Sequence, residues 1–194
     1  MRINFGTLKG KNLSYNVPKD FHTDVRPTSA AVKSVLFNLL MHNSLFSHLP
    51  INNISVADFC CGTGGVGFEF LSLGVQKCAF FDKHYFNLEG IQNNAKLFNI
   101  SDRIFTQTVD ISNEKYLNKI SHNSYDIIFI DPPYKAINEI LQTFLNFIKI
   151  HNILNPGGFI VIESNKDIPL EHFNVVLKRD VRRKRFLFFL QQNT

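Results

Sequence analysis

Three cysteines in 194 residues, Cys60, Cys61 and Cys78, are too few for a disulfide framework, and the adjacent pair would point to opposite faces of a strand. They read as reduced core residues. No run of eighteen apolar residues occurs, and the opening MRINFGTLKG has no apolar segment behind its charges. Neither a membrane span nor a secretory signal is therefore expected, which puts the protein in the cytoplasm. The seven histidines show no metal-ligand spacing with one another or with the cysteines, so no metal site is expected. Internal repeats, linkers and low-complexity segments are missing too. What is present is 44% hydrophobic content, enough to bury one sizeable core, and so one domain with a small extension.

The net charge of +5 is unevenly spread. Residues 1–33 carry six Lys/Arg against two Asp, residues 178–185 carry six against one, and the rest of the chain is net −4. Basic ends around an acidic middle fit a chain that holds a polyanion with its ends, or one with solvated basic surfaces.

PTSAAVKSVLFNLLM places Val32, Val35, Leu36, Leu39 and Leu40 at helical spacing behind Pro27, with Thr28 as the cap. A short segment with Gly6 and Gly10 before it reads as a small hairpin. From residue 54 strand-like and helix-like pieces alternate: ISVADFC, GGVGFEFLSLG, KCAFFD, HYFNLEGIQNNAKLFN, RIFTQTVD, YDIIFID, INEILQTFLNFIKI and, after an NPGG turn, FIVIES. Strands that are continuously apolar and joined by helices mean a parallel sheet covered on both faces, a doubly wound α/β fold. FNVVLKRDVRRKRFLFFLQQ leaves no room for a crossover helix and reads as a terminal antiparallel hairpin.

Ligands of such sheets bind beyond the carboxyl ends of the strands. The first strand ends in DFCCGTGGVG, with Gly62, Gly64 and Gly67 in G-x-G-x-x-G spacing before a helix and Asp82 twenty residues on, where a carboxylate accepts ribose hydroxyls. NAD and S-adenosylmethionine both suit that pattern. Asp58 favours the second, because a buried carboxylate needs a cationic partner and would repel a pyrophosphate. Asp110, ending the third strand, is placed either to accept from an adenine amine or to cap the next helix. The fourth strand ends in DPPY. Pro132 and Pro133 stop the ladder, so Asp131 and the Pro132 carbonyl become two fixed acceptors for the N–H groups of an exocyclic amine, with Tyr134 as a stacking face. The plain alternative is a tight turn. A nucleobase amine is a poor nucleophile until it is oriented, and a base inside a stack must first be flipped out, at a cost of roughly a few kcal/mol. The turn between the last two strands, with Lys178, Arg179, Arg182, Arg183, Lys184 and Arg185, emerges on the same edge as Asp131 if the sixth strand runs parallel to the others; it then contacts phosphates, or only keeps an edge strand soluble. His84 reads as a helix-start residue, and Glu163, ending the fifth strand, either lines the pocket or is structural.

With these residues in place the chain resembles the RsmD family, bacterial 16S ribosomal RNA guanine-N2 methyltransferases, over nearly its whole length. INFGTLKGKNL is similar to that family's glycine-rich N-terminal hairpin, RPTSAAVKSVLFNLL to its Arg-Pro-Thr helix, DFCCGTGGVGFEFLSLG to its cofactor loop and DPPY to its catalytic motif. The resemblance implies a Rossmann-like class I S-adenosylmethionine-dependent methyltransferase, with a mostly parallel seven-stranded sheet and an antiparallel C-terminal hairpin. Residues 1–27 would form the hairpin extension and 28–194 the methyltransferase domain. It implies cofactor binding by S-adenosylmethionine at Asp58, Gly62, Gly64, Gly67, Asp82 and Asp110, and catalysis at Asp131, Pro132, Pro133 and Tyr134. RNA contact would fall to Lys9, Lys11, Arg26 and Thr28 with Arg182, Arg183, Lys184 and Arg185, the partner being 16S rRNA in an assembling small subunit met by a monomer. Cys60 and Cys61 stand where the family usually has Phe and Ala, Ser-Ala-Ala follows Thr28 where Asp-Arg is common, and the final hairpin lacks the usual Tyr-Gly. The nearest rival is a DNA adenine-N6 methyltransferase, against which the short chain argues. An NAD-dependent oxidoreductase would need a Tyr-x-x-x-Lys dyad near strand four, which is not there, and an inactive binding module would have no use for Asp131 and Tyr134.

Overall fold

Strands that are apolar on both sides need cover on both sides, and the chain supplies it in two layers. The structure is a computed structural model describing residues 1–15, 28–117, 120, 125–132, 137–168, 170, 174–181 and 185–191. Its elements are α1 (Ala30–His42), β1 (Ser55–Phe59), α2 (Gly65–Leu73), β2 (Lys77–Asp82), α3 (Tyr85–Leu97), β3 (Ile104–Thr108), α4 (Glu114–Leu117), β4 (Tyr125–Ile130), α5 (Ile137–Ile150), β5 (Leu154–Ser164), β6 (Asn174–Val181) and β7 (Arg185–Gln191). The sheet order is β3-β2-β1-β4-β5-β7-β6. β3, β2, β1, β4 and β5 are mutually parallel, while β7 is antiparallel to both neighbours. β6 therefore runs parallel to β5, and its end reaches the same edge as the ends of β1 and β4. The chain steps outward from β1 through β2 to β3, then returns to the other side of β1 with β4. That reversal opens a crevice beyond the carboxyl ends of β1 and β4.

One face of the sheet, with Val56, Phe80, Phe129, Phe159 and Phe189, packs against Leu36, Phe37, Phe68, Phe70 and Ile91 of α1, α2 and α3. The other, with Phe59, Phe81, Ile128, Ile130 and Ile162, packs against Leu141, Phe144 and Ile148 of α5. Phenylalanine does much of the filling: Phe59 stacks on Phe81 at 4.3 Å and meets Phe144 edge-on at 4.6 Å.

The first residues double back on themselves, with Arg2 bridged to Asn12 and the Ile3 and Gly10 amides donating to Lys11 and Ile3 carbonyls at 3.0 and 2.9 Å, while residues 16–27 of the expected hairpin extension lie outside the described residues. The doubled-back segment is packed into the first layer through Ile3, Leu8 and Leu13. It is also clamped there by charge. Lys33 and Glu69, 2% and 0% exposed, pair at 2.7 Å; Glu69 also accepts from the Asn4 and Phe5 amides, and Lys33 donates to the Arg2 carbonyl.

Four sequence expectations change in detail. The cap of α1 is Ser29, whose hydroxyl accepts from the Val32 amide at 3.2 Å, because the helix starts one turn position later than Thr28 would require. Cys60 and Cys61 lie past the end of β1, so they do not alternate across a strand; all three cysteines are free. β5 begins at Leu154, ahead of Asn155–Gly158, because a register shift lets that segment bulge while still pairing with β4. Lys178 and Arg179 belong to β6 and not to the turn after it. No helix among the described residues is long and apolar enough to cross a membrane.

Candidate active site

β1 delivers Asp58 and then a sharp turn to the mouth of the crevice. Cys60, Gly62 and Gly64 have φ of +56°, +51° and +74°, so the backbone doubles back and enters α2 with Gly64 as its N-terminal cap. Gly67 is required for a different reason: a Cβ there would lie 2.2 Å from the Phe80 ring, so only glycine lets α2 rest this closely on β2. Asp58, 2% exposed, accepts the Gly67 amide at 2.9 Å and ties the strand to the first turn of the helix. That bond does not balance its burial. Desolvation, above all, pushes its carboxyl up to about 7, and the neighbouring Asp82 charge adds to the rise.

Asp82 ends β2 and braces the glycine turn, accepting from the Gly62 amide at 2.8 Å and from the His84 amide at 2.9 Å. His84 is the residue before α3, as its sequence position suggested, and its ring stacks on Phe86. Asp110 lies two residues beyond β3, which stops at Thr108, and accepts the Ser112 amide and hydroxyl at 3.0 and 2.6 Å. It shapes a turn, while Asn113, accepting from the Lys115 amide, stands directly ahead of α4.

β4 delivers Asp131 to the other lip. Its carboxyl is held well above the ordinary range by burial first and by the Glu163 and Asp58 charges, with Arg185 opposing. Glu163 is its neighbour: Ile130 pairs with Ile162, so the next residues of the two parallel strands stand at one level. Glu163 is fully buried and accepts from Arg185 of β7 at 2.6 Å. Burial raises its carboxyl, and Arg185 and the Thr28 hydroxyl work against that rise, although Oε2 receives no hydrogen bond of ordinary geometry. Cys60 sits among these acids. Burial first, then the charges of Asp82, Asp131, Asp58 and Asp110, push its thiol up, which favours the protonated form.

One edge of the sheet thus gathers Asp82, Asp58, Asp131 and Glu163, and among the described residues its one ion pair is Arg185 with Glu163. Such an edge repels phosphate and attracts a cation. Metal-ligand clusters of three or more His, Cys, Asp or Glu are not found among the described residues.

The family model described as Conserved hypothetical protein 95 matches residues 1–189. The chain belongs to that family, the RsmD family. A relative, ribosomal RNA small subunit methyltransferase D of Buchnera aphidicola, is 26% identical over 162 residues, covering 83% of this chain and 76% of that one. The Escherichia coli protein yhhF superposes with a TM-score of 0.76 at 17% identity, covering 100% of this chain and 99% of that one. An RNA methyltransferase from Salinibacter ruber, in complex with S-adenosyl-L-homocysteine, gives 0.60 at 12% identity over 84% and 92% of the two chains. The fold is the class I methyltransferase fold, with seven strands and the antiparallel C-terminal hairpin.

On this RsmD-family frame the remaining sequence candidates separate. Thr28 stands beside Glu163, at the edge that carries Asp131. Lys9 and Lys11 are exposed at the far end of the hairpin: the Leu8 amide beside Lys9 donates to the Ser72 hydroxyl at the C-terminal end of α2, and the Lys11 ammonium lies 5.1 Å from the Phe98 ring at the end of α3. The structure does not bring them to the edge that carries Asp131. Lys33, counted with the basic end, is buried against Glu69. Arg185 faces inward onto Glu163, and Lys178 pairs with Asp167 at 2.6 Å beneath the Phe186 and Phe188 rings. Arg26, Pro133, Tyr134, Arg182, Arg183 and Lys184 lie outside the described residues. The Glu163–Arg185 pair is the feature that sequence reasoning undervalued. Its signal was available: IIFID and FIVIE are equal apolar runs ending in an acid.

Proposed function

We propose that this protein is an S-adenosylmethionine-dependent methyltransferase of ribosomal RNA, acting on the N2 amine of a guanine in 16S rRNA within an assembling small subunit. The observation that carries the reading is the acidic edge. Four carboxylates with one arginine among them suit a ligand that brings positive charge, and oppose the pyrophosphate of a dinucleotide. The names of the relatives support ribosomal RNA as the substrate class.

Asp58 and Asp82 would hold the cofactor's ammonium and ribose hydroxyls, with Gly62, Gly64 and Gly67 letting it approach the backbone and Asp110 beside the adenine. When bound, the cofactor supplies an activated methyl on a positively charged sulfur. The protein's own part lies at Asp131. Its carboxylate and the Pro132 carbonyl accept the two protons of the amine, turning the nitrogen lone pair toward the methyl, and Tyr134 offers a face for the flipped base. With the methyl passed from sulfur, which would leave as a neutral thioether, the nitrogen would carry an acidic proton, and a carboxyl with a raised proton affinity, as Asp131 has, is suited to take it. Arg182, Arg183 and Lys184 would supply contacts to RNA phosphates.

The reading is tested with tritiated S-adenosylmethionine and small-subunit particles from a strain lacking the enzyme. Label should enter at a guanine amine, and Asp131→Ala should abolish transfer while cofactor binding persists. Labelling of duplex adenine instead would replace this reading with the DNA adenine-N6 alternative.

A further inference from the structure

The acidic edge contains one buried oxygen that no hydrogen bond of ordinary geometry reaches among the described residues. Glu163 is fully buried, with Oε1 held by Arg185 at 2.6 Å. Oε2 is buried as well; the Thr28 hydroxyl stands beside the carboxyl, but no hydrogen bond of ordinary geometry reaches Oε2 among the described residues. A buried acceptor in that condition costs free energy, and native chains keep few of them without use. Its address is informative. Asp131 and Glu163 follow the Ile130–Ile162 pair on adjacent parallel strands, about 4.8 Å apart in the pairing direction. Both follow residues of the same layer, Phe129 and Val161, so both side chains lie on the α1 side of the sheet.

Resting on the guanine-amine reading above, the geometry points to Glu163 as the residue that reads guanine, its Oε2 accepting the N1–H proton while Asp131 and the Pro132 carbonyl take the protons of N2. Guanine is the purine whose amine stands next to a ring N–H, so it presents donors to both carboxylates. Adenine presents its amine beside a ring nitrogen lone pair, which would face Oε2 acceptor to acceptor. The pair therefore favours guanine over adenine at a corner where Asp131 alone would serve both. Accepting N1–H also pushes ring electron density toward N2, strengthening the nucleophile. Arg185 is the positioning residue: by occupying Oε1 it leaves Oε2 as the free acceptor.

The test replaces the ring N–H without touching the amine. Small-subunit particles are reconstituted from 16S rRNA carrying either guanosine or 2-aminopurine riboside at the labelled position; 2-aminopurine keeps the 2-amine but has a lone pair at N1. Wild-type protein should favour guanosine in kcat/KM by roughly tenfold to a hundredfold, the scale of leaving one buried acceptor without its donor. In Glu163→Gln the amide oxygen still accepts from Arg185 and its NH2 group donates where Oε2 accepted. That ratio should fall to near one or invert, with guanosine losing more than 2-aminopurine gains. Because both substrates meet one preparation, loss of folded protein cancels from the ratio. An unchanged ratio, or a proportional loss on both substrates, would overturn the inference while leaving guanine methylation standing. Failure of wild-type protein to methylate either particle would remove the underlying reading, and this inference with it.

Discussion

Asp58 offers a direct measure of what the acidic edge costs the free protein. In the unfolded chain its carboxyl has the ordinary value of 3.8, and in the fold it keeps its proton to about 7. Well below pH 3.8 both states are protonated and the site costs nothing. As pH rises the unfolded chain releases its proton first, so stability falls until the folded-state value is passed. The full difference corresponds to about 4 kcal/mol, of which about 2.5 kcal/mol falls between pH 5 and pH 8. Urea unfolding across that range should therefore show wild-type protein losing about 2.5 kcal/mol relative to Asp58→Asn. The amide keeps an acceptor for the Gly67 N–H but cannot ionise, so the comparison isolates the charge from the hydrogen bond. Asp131 and Glu163 also have raised values and contribute to both curves; taking the difference removes most of their share. Saturating S-adenosylmethionine should flatten the wild-type curve, because a cation beside Asp58 favours its charged form. Parallel curves for the two proteins would refute the idea that burial holds this carboxyl protonated.

Two further outcomes follow from packing. Lys33→Met leaves the Glu69 charge buried with only the Asn4 and Phe5 amides to face, and should cost about 3–5 kcal/mol in urea unfolding; adding Glu69→Gln should recover part of that loss, and a cost under about 1 kcal/mol would mean that water reaches the pair. Gly67→Ala forces a methyl to within 2.2 Å of the Phe80 ring and should lose about 1–3 kcal/mol, whereas Gly90→Ala on α3, where nothing lies within 4 Å, should gain up to about 1 kcal/mol; equal effects at the two positions would contradict the close α2–β2 contact.

How far the sequence could be read depended on whether its signals were local. β2 and α5 occupy the residues their patterns predict, Lys77–Asp82 and Ile137–Ile150, since a bounded apolar run and a helical stripe each carry their own limits. The glycine spacing was legible for the same reason, and so was the terminal hairpin, whose two strands leave no room for a crossover helix. β5 was read short because Asn155, Pro156, Gly157 and Gly158 are turn residues by type, and pairing with Tyr125 keeps them in the sheet. Lys33 misled charge counting. It sits on the stripe of Val32, Leu36 and Phe37, and Glu69 sits among Val66, Phe68 and Phe70, each looking like a flaw in its own helix. Taken together, two opposite charges on two apolar stripes announce a buried pair.

The same comparison of distant segments bears on the site. In a parallel sheet, runs that match in length and polarity tend to lie in register, because a one-residue slip would turn every side chain to the wrong layer. IIFID and FIVIE match residue for residue, and Ile127 does pair with Phe159. Their terminal acids therefore meet at one level, each closing a run of four apolar residues, 127–130 in β4 and 159–162 in β5. A fold seeking only stability would put a carboxylate and a cation there, as it does with Lys33 and Glu69, or two apolar residues. Two carboxylates sharing one arginine leave the last of the compensation to a ligand that donates protons or brings charge. That requirement suits the edge of a guanine, with its adjacent N1–H and N2–H donors, better than the edge of an adenine, and it places the choice between them on Glu163 more than on Asp131.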